Sequence, residues 1–194
     1  MKPFIKENFL SDVQLKAVWT EVAFLSNRLF PPEGTYSARD EKTDQYLKKN
    51  TGVSIPQIMD PAYSSICQLM SKILHEEFIE EALKVSPFYA YLKIINWQGY
   101  LLNYYTDGDF YKEHQDNFLI SGILFLHKEP KRFSGGNLRL KVGNKTITVE
   151  PKNNRLVLFP SIIPHSVDTV SMEDGAEENS GRYSVAQFLT IHNQ

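Results

Sequence analysis

From Pro87 onward the chain is dominated by short runs rich in aromatic and β-branched residues, at 89–97, 100–105, 119–126, 137–142, 145–149, 155–159, 166–170 and 183–191. Gly108, Gly135-Gly136, Gly143-Asn144 and Pro160 punctuate them, so they read as strands separated by turns. About eight short strands cannot bury their apolar faces singly and must pack as two sheets or close on themselves.

Two helical patterns precede the strands. Ser11-Asp12 can cap a helix to about residue 29, with Leu15, Val18, Val22, Leu25 and Leu29 at three- and four-residue steps before Pro31-Pro32 stops it. Asp60 followed by Pro61 marks a second start, and Ile66, Leu69, Met70, Ile73, Leu74 and Phe78 supply a stripe through about residue 83. Between them, residues 31–57 are rich in Gly, Thr, Ser, Asp and Lys around Tyr36 and Tyr46. A loop of that length is usually a lid or binding segment. The expected fold class is α+β, mainly β: a double-stranded β-helix (jelly-roll) core over about 88–194, braced by helical support over about 1–87, in one domain spanning 1–194.

The chain's 194 residues allow one domain burying about 70% of its unfolded surface. Net charge is −2, and Lys and Arg cluster only briefly, at Lys48-Lys49 and 128–132. This argues against a grip on a phosphate backbone, so no nucleic-acid partner is expected. Cys67 is the only cysteine and falls in a helical apolar pattern, which predicts a buried, inert thiol and a reducing compartment. The N-terminal stretch has no apolar leader pattern, and nowhere do 18 apolar residues run together, so a cytoplasmic protein without membrane association is expected.

The chemistry concentrates in His114-Gln-Asp116, the later His165, and Arg182-Tyr-Ser184. In an extended segment, side chains two apart share a face, so His114 and Asp116 can both reach one metal ion. A second strand then brings His165. Two imidazoles and one carboxylate on one face of an octahedral ion leave three positions open, the arrangement of non-haem Fe(II) oxygenases. An arginine soon after the distal histidine suits a dicarboxylate co-substrate.

Around these residues the chain resembles the 2-oxoglutarate- and Fe(II)-dependent dioxygenases, in particular their prolyl-hydroxylase-like branch. Besides H-x-D, the distant histidine and R-x-S, the runs 102–105, 133–138 and 154–160 match, so the resemblance covers roughly 88–192. It implies that His114, Asp116 and His165 are the metal ligands. It also implies that Arg182 meets the distal carboxylate of 2-oxoglutarate with the Ser184 hydroxyl beside it, and that Tyr104 lines the co-substrate or substrate pocket; from the residues alone Tyr104 reads equally as a half-buried strand aromatic. Fe(II), 2-oxoglutarate and O2 are the implied cofactor set, with ascorbate as an optional reductant. Because Asp116 keeps a carboxylate, hydroxylation of an unactivated C–H bond is implied rather than halogenation. The implied substrate is a prolyl residue in a protein or peptide, or a small amino-acid-like molecule. Two departures stand out. Phe125 occupies the place of a co-substrate-touching tyrosine in some prolyl hydroxylases, and a Gly- and Glu-rich insert at 171–181 lengthens the interval from His165 to Arg182.

Other classes read less well. A non-catalytic metal-binding jelly roll, serving as sensor or interaction module, has no need of R-x-S. A hydrolytic zinc site needs a general base that the sequence does not show. His75 lacks the second histidine of H-E-x-x-H, and His127 and His192 are expected in solvent. Gly135-Gly136 is expected to make a tight turn or close strand approach. Loops 31–57 and 171–181 are expected to flank the pocket opening; Glu173, Asp174, Glu177 and Glu178 of the latter read first as a solvated acidic loop, and otherwise as charges near the site mouth.

Overall fold

The computed structural model describes residues 2–35 and 37–192; Tyr36 lies outside them. The helical half departs from one long stripe per helix. β1 (Phe4–Lys6) comes first, then α1 (Asp12–Ser26), whose N-terminus is a capping box: the Ser11 hydroxyl accepts from Gln14 N, and Gln14 Oε1 accepts from Ser11 N. The segment expected to be loop contains a short β2 (Lys48–Lys49), β3 (Thr51–Ser54) and the single-turn α2 (Ile55–Ile58).

The stripe expected as one helix to residue 83 is broken into a 3₁₀ turn Pro61–Tyr63, α3 (Ser65–Met70), a 3₁₀ turn Ser71–Leu74 and α4 (Glu76–Leu83). Local side-chain bonds compete with helix continuation. The Asp60 carboxylate accepts from Ala62 N, the Ser64 hydroxyl accepts from Cys67 N, and the Ser71 hydroxyl donates to Gln68 O.

Residues 89–97, expected as a strand, instead belong mostly to a 3₁₀ run, Pro87–Ile94. Pro87 presets the first turn, Ser86 Oγ accepts from Phe88 N, and the buried Tyr89 hydroxyl is drawn into a bonded position. It accepts from Phe4 N at 2.8 Å and donates to Leu158 O at 2.8 Å.

The remaining strands are β4 (Trp97–Tyr105), β5 (Phe110–His114), β6 (Ile120–Leu126), β7 (Phe133–Gly135), β8 (Leu138–Val142), β9 (Lys145–Val149), β10 (Arg155–Pro160), β11 (His165–Val167), β12 (Val170–Met172) and β13 (Arg182–Thr190). The expected 166–170 strand splits into β11 and β12 at Asp168, whose N–H bonds Asn137 O and whose carboxylate accepts from Arg139 and Asn137. A six-stranded sheet runs β1-β10-β6-β13-β4-β3, a five-stranded sheet runs β2-β5-β11-β8-β9, and β12 pairs with β7. All these pairings are antiparallel.

Strand alternation divides the core. The outer face of the larger sheet carries Leu102, Leu124, Leu126, Tyr183, Val185 and Leu189, packed with Val18, Val22 and Leu25 of α1 and Ile66, Met70 and Ile73. Phe125, Val157 and Phe159 point inward and meet Leu138, Leu140 and Val149 of the smaller sheet. The helices therefore brace one sheet from outside, leaving the space between the sheets for a site.

Tyr89 ties the 3₁₀ run to both β1 and β10. Tyr89→Phe leaves Phe4 N without its buried acceptor and is expected to cost about 1–3 kcal/mol, read as a lower urea midpoint at unchanged m-value.

Candidate metal centre

His114 ends β5 and His165 begins β11, and the two are direct cross-strand partners. Asp116 lies just beyond β5, held by its own N–H to Ser161 O at 3.1 Å and by the Ser121 hydroxyl, which donates to Asp116 Oδ2 at 2.6 Å. Ser121 Oγ is in turn 2.8 Å from Ser161 Oγ, and both serines are fully buried. One ligand atom from each of His114, Asp116 and His165 falls within 4.8 Å of the others, and among the described residues this is the only cluster of three such groups.

The imidazoles are oriented from behind. His114 Nδ1 is 2.9 Å from Lys112 O and His165 Nδ1 is 2.8 Å from Ile163 O. A carbonyl can only accept, so each Nδ1 carries the proton and each Nε2 presents a lone pair to the site. Those Nε2 atoms lie 3.7 and 3.5 Å from the Asp116 carboxylate oxygens. Burial, with neighbouring His165, pushes the His114 pKa down to about 4 and keeps the ring neutral. Burial works against ionisation of Asp116, but the neighbouring His165, the Ser121 hydroxyl that donates to it and His114 outweigh it and hold the carboxyl below its usual range. Two neutral nitrogens and one carboxylate fit Fe(II), with the remaining coordination positions left to non-protein ligands.

The same cavity receives Arg182, 1% exposed, from β13. Its Nε donates to Gly136 O at 2.9 Å and its Nη1 to Ser184 Oγ at 3.2 Å, and its guanidinium carbon lies 4.7 Å from the Tyr105 ring centre and 5.1 Å from that of Phe125. Among the described residues no carboxylate pairs with it. Burial lowers its pKa to about 10, with Tyr105 opposing. The expected close approach at the glycine pair is real. A Cβ on Gly136 would sit 2.7 Å from Arg182 Cδ, and one on Gly135 would sit 2.1 Å from Thr169 O; both glycines have positive φ.

Tyr104, expected in this pocket, is on the other face. It pairs in register with Tyr183, packs against that ring at 4.5 Å, and its hydroxyl accepts from Gly181 N. Tyr105, opposite Arg182, lines the cavity instead, together with Asn103, Tyr111 and Lys48. The resemblance pointed to Tyr104 without reporting strand phase, and in the structure it is the neighbouring Tyr105 that faces the cavity. Ser121 and Ser161 carry no sequence signal at all, since a serine in an apolar strand is commonplace.

Residues 37–57 do border the site: Lys48 lines the cavity, and Ser37, Ala38, Ser54, Pro56 and Gln57 line a groove reaching Asp116. Residues 171–179 do not. They enclose a separate depression with Tyr104, Thr106 and Asp107 that includes no member of the triad, and Glu173 pairs with Arg132 at 3.1 Å. His127, expected in solvent, is 5% exposed, its Nε2 accepting from Asn153 N at 3.0 Å and its ring edge-on to Phe133. His192 is exposed as expected, with its ring stacked on Trp97, and His75 is exposed at the start of α4.

The family model of the 2OG-Fe(II) oxygenase superfamily matches residues 100–190. This segment is similar to that superfamily, and it carries the triad, Arg182 and β5 to β13 around them. Within it the chain is similar to the prolyl-hydroxylase branch. An uncharacterized PKHD-type hydroxylase of Synechocystis is 30% identical over 156 residues, covering 67% of this chain and 50% of that one. The chain thus spans about half the length of that curated relative. A prolyl-4-hydroxylase of Pseudomonas putida superposes with a TM-score of 0.65 at 18% identity, covering 98% of this chain and 93% of that one. A Trichoplax adhaerens prolyl hydroxylase, solved with a hypoxia-inducible-factor peptide fragment, gives 0.61 at 17% identity, covering 97% and 83%. At these identities the structural likeness carries the fold. Fe(II), 2-oxoglutarate and O2 are the cofactor set of the superfamily, and the donor set described above suits it.

His114→Ala, Asp116→Ala and His165→Ala are each expected to abolish stoichiometric Fe(II) binding in anaerobic dialysis while keeping a cooperative melt. Ser121→Ala, which frees the Asp116 carboxylate and leaves Ser161 Oγ without its partner, is expected to weaken it by about 10–100-fold.

Proposed function

We propose that this chain is an Fe(II)- and 2-oxoglutarate-dependent dioxygenase that hydroxylates an unactivated C–H bond, of a prolyl residue in a protein or peptide or of a small amino-acid-like substrate. The observation that carries this reading is Arg182, a buried guanidinium that pairs with no carboxylate among the described residues and lies in the same cavity as the metal-ligand triad. Desolvating such a charge is costly unless an anion joins it. A non-catalytic metal-binding module would leave that cost uncompensated.

Bound iron, 2-oxoglutarate and O2 supply the oxidising chemistry. His114, Asp116 and His165 hold the metal and, by taking one face, leave the rest to ligands. Arg182 receives the distal carboxylate of the co-substrate as a fixed-charge, forked donor. Ser184 Oγ accepts from Arg182, so its own proton is free to donate to that carboxylate. Tyr105 stands opposite Arg182 in the cavity, and its hydroxyl supplies the donor that Phe125 lacks.

The groove that meets the cavity at Leu101, Tyr111, Asp116 and Phe188 has a volume of about 680 Å³. Its wall is an aromatic stack: Trp97 lies 5.6 Å from Phe118 at 4° between planes, and Phe118 lies 4.8 Å from Phe188 at 28°. Among the described residues Asp116 is its only charged lining residue. Such a wall suits a compact apolar ring or side chain and keeps water from the reacting carbon. The peptide fragment bound by the Trichoplax relative supports including peptides among the substrates.

Anaerobic addition of 2-oxoglutarate to the Fe(II)-loaded protein is expected to produce a weak visible metal-to-ligand charge-transfer band, and its absence would refute the co-substrate. Arg182→Ala is expected to retain iron but raise the 2-oxoglutarate Kd by about a hundredfold or more, on the order of 3 kcal/mol. Arg182→Lys should fall between, and Ser184→Ala should shift it less. An unchanged Kd in Arg182→Ala at saturating Fe(II) would place the anchor elsewhere.

A further inference from the structure

The cavity holds a second cation with no assigned partner. Lys48 and Lys49 are adjacent on β2, and the strand sends them to opposite faces. Lys49 is mostly exposed and pairs with Asp109 at 3.3 Å. Lys48 is 4% exposed and lines the cavity with His114, Asp116, His165 and Arg182. Its ammonium lies 5.5 Å from the centre of the Tyr111 ring, the residue it opposes across β2 and β5. Among the described residues it makes no hydrogen bond or ion pair.

Charge balance says what is missing. The imidazoles of a loaded centre are neutral ligands, so the fixed charges are the divalent metal, Asp116, Arg182 and Lys48, three positive in net. A dianionic co-substrate removes two of the three. One positive charge remains in a site from which water is largely excluded, and an uncompensated buried charge is unfavourable. Tyr111 joins the cavity to the aromatic groove, since it lines both. A ligand with an apolar body against Trp97 and Phe118 can therefore pass Tyr111 and present an anionic head to Lys48.

We propose that Lys48 binds a carboxylate of the substrate, so that the molecule hydroxylated is an acid whose carboxylate lies close to the oxidised carbon. This rests on the dioxygenase reading above. The carboxylate belongs either to a free α-carboxyl group or to an Asp or Glu side chain in a short peptide.

The test uses protein loaded with Mn(II) and 2-oxoglutarate, which binds without turning over. Free proteinogenic amino acids, dipeptides with a free C-terminus, and end-capped peptides containing Asp or Glu are each compared with a neutral amide twin, by melting shift and then by calorimetry. At least one acid is expected to bind about tenfold or more tighter than its amide. Lys48→Met and Lys48→Gln should erase that difference, Lys48→Arg should keep part of it, and the 2-oxoglutarate Kd should stay within about threefold of wild type in all three. Preference for α-carboxylates or for side-chain carboxylates identifies the source.

The proposal is overturned if no acid binds, if acid and amide bind alike, or if Lys48→Met keeps the difference. It is equally overturned if Lys48→Met weakens 2-oxoglutarate as Arg182→Ala does, because Lys48 then serves the co-substrate. Failure of wild-type protein to bind 2-oxoglutarate refutes the dioxygenase reading instead, and the acid–amide comparison is then run on the Mn(II) protein alone, where equal binding still overturns the role of Lys48.

Discussion

Arg182 is 1% exposed and meets no carboxylate among the described residues, so the fold itself must carry the desolvation of a guanidinium. Several otherwise separate features converge on holding it. β13 pairs on both sides, with β4 and β6, which fixes the register of Arg182 against Tyr105 and of Ser184 against Phe125. Gly136 brings its carbonyl to Nε at a point where any side chain would collide with the arginine. Two aromatic rings, Tyr105 and Phe125, lie against the guanidinium and return part of the lost solvation as cation–π attraction. The fold tolerates the cation without neutralising it, which leaves its binding capacity available to a ligand.

The metal-ligand triad is prearranged by the same means. The His114–His165 pairing of β5 with β11 sets the two rings, whose centres are 4.2 Å apart. Carbonyls at Lys112 and Ile163 fix both tautomers, and the serine pair fixes the carboxylate. Little side-chain entropy is left to lose when an ion arrives.

Much of this was legible from residue order. H-x-D, the distant histidine and R-x-S lie in one cavity, and the strand-rich half is a two-sheet structure, because period-2 alternation and turn chemistry act over a few residues and leave a strong local trace. The helical half was less legible. One apolar stripe hid four short elements, since Asp60, Ser64 and Ser71 divert backbone hydrogen bonds that no hydrophobic period records. β1, β2 and β3 have two to four residues each and are strands only because a longer neighbour pairs with them. Lys48 was visible merely as half of a lysine pair, and its inward direction depends on that pairing. Tyr105 rather than Tyr104 faces the cavity because a matched motif does not report strand phase, and His127 is buried by Phe133 and by Asn153, 26 residues away, contacts that no local pattern records.

The adjacent tyrosines also show how labour is divided along the two central strands. On β4, residues 101, 103 and 105 line the cavity while 100 and 102 join the helical core; on β13, residues 182, 184, 186 and 188 line it while 183, 185 and 189 join the core. Residue parity therefore separates two kinds of selective pressure on one stretch of backbone. Changes at odd positions of β4 and even positions of β13 alter what the cavity accepts with little disturbance to helix packing. Changes of the opposite parity tax stability and leave the cavity lining as it was. New ligand preferences can thus accumulate on a scaffold whose folding energetics stay nearly constant, without any new element being added to the chain.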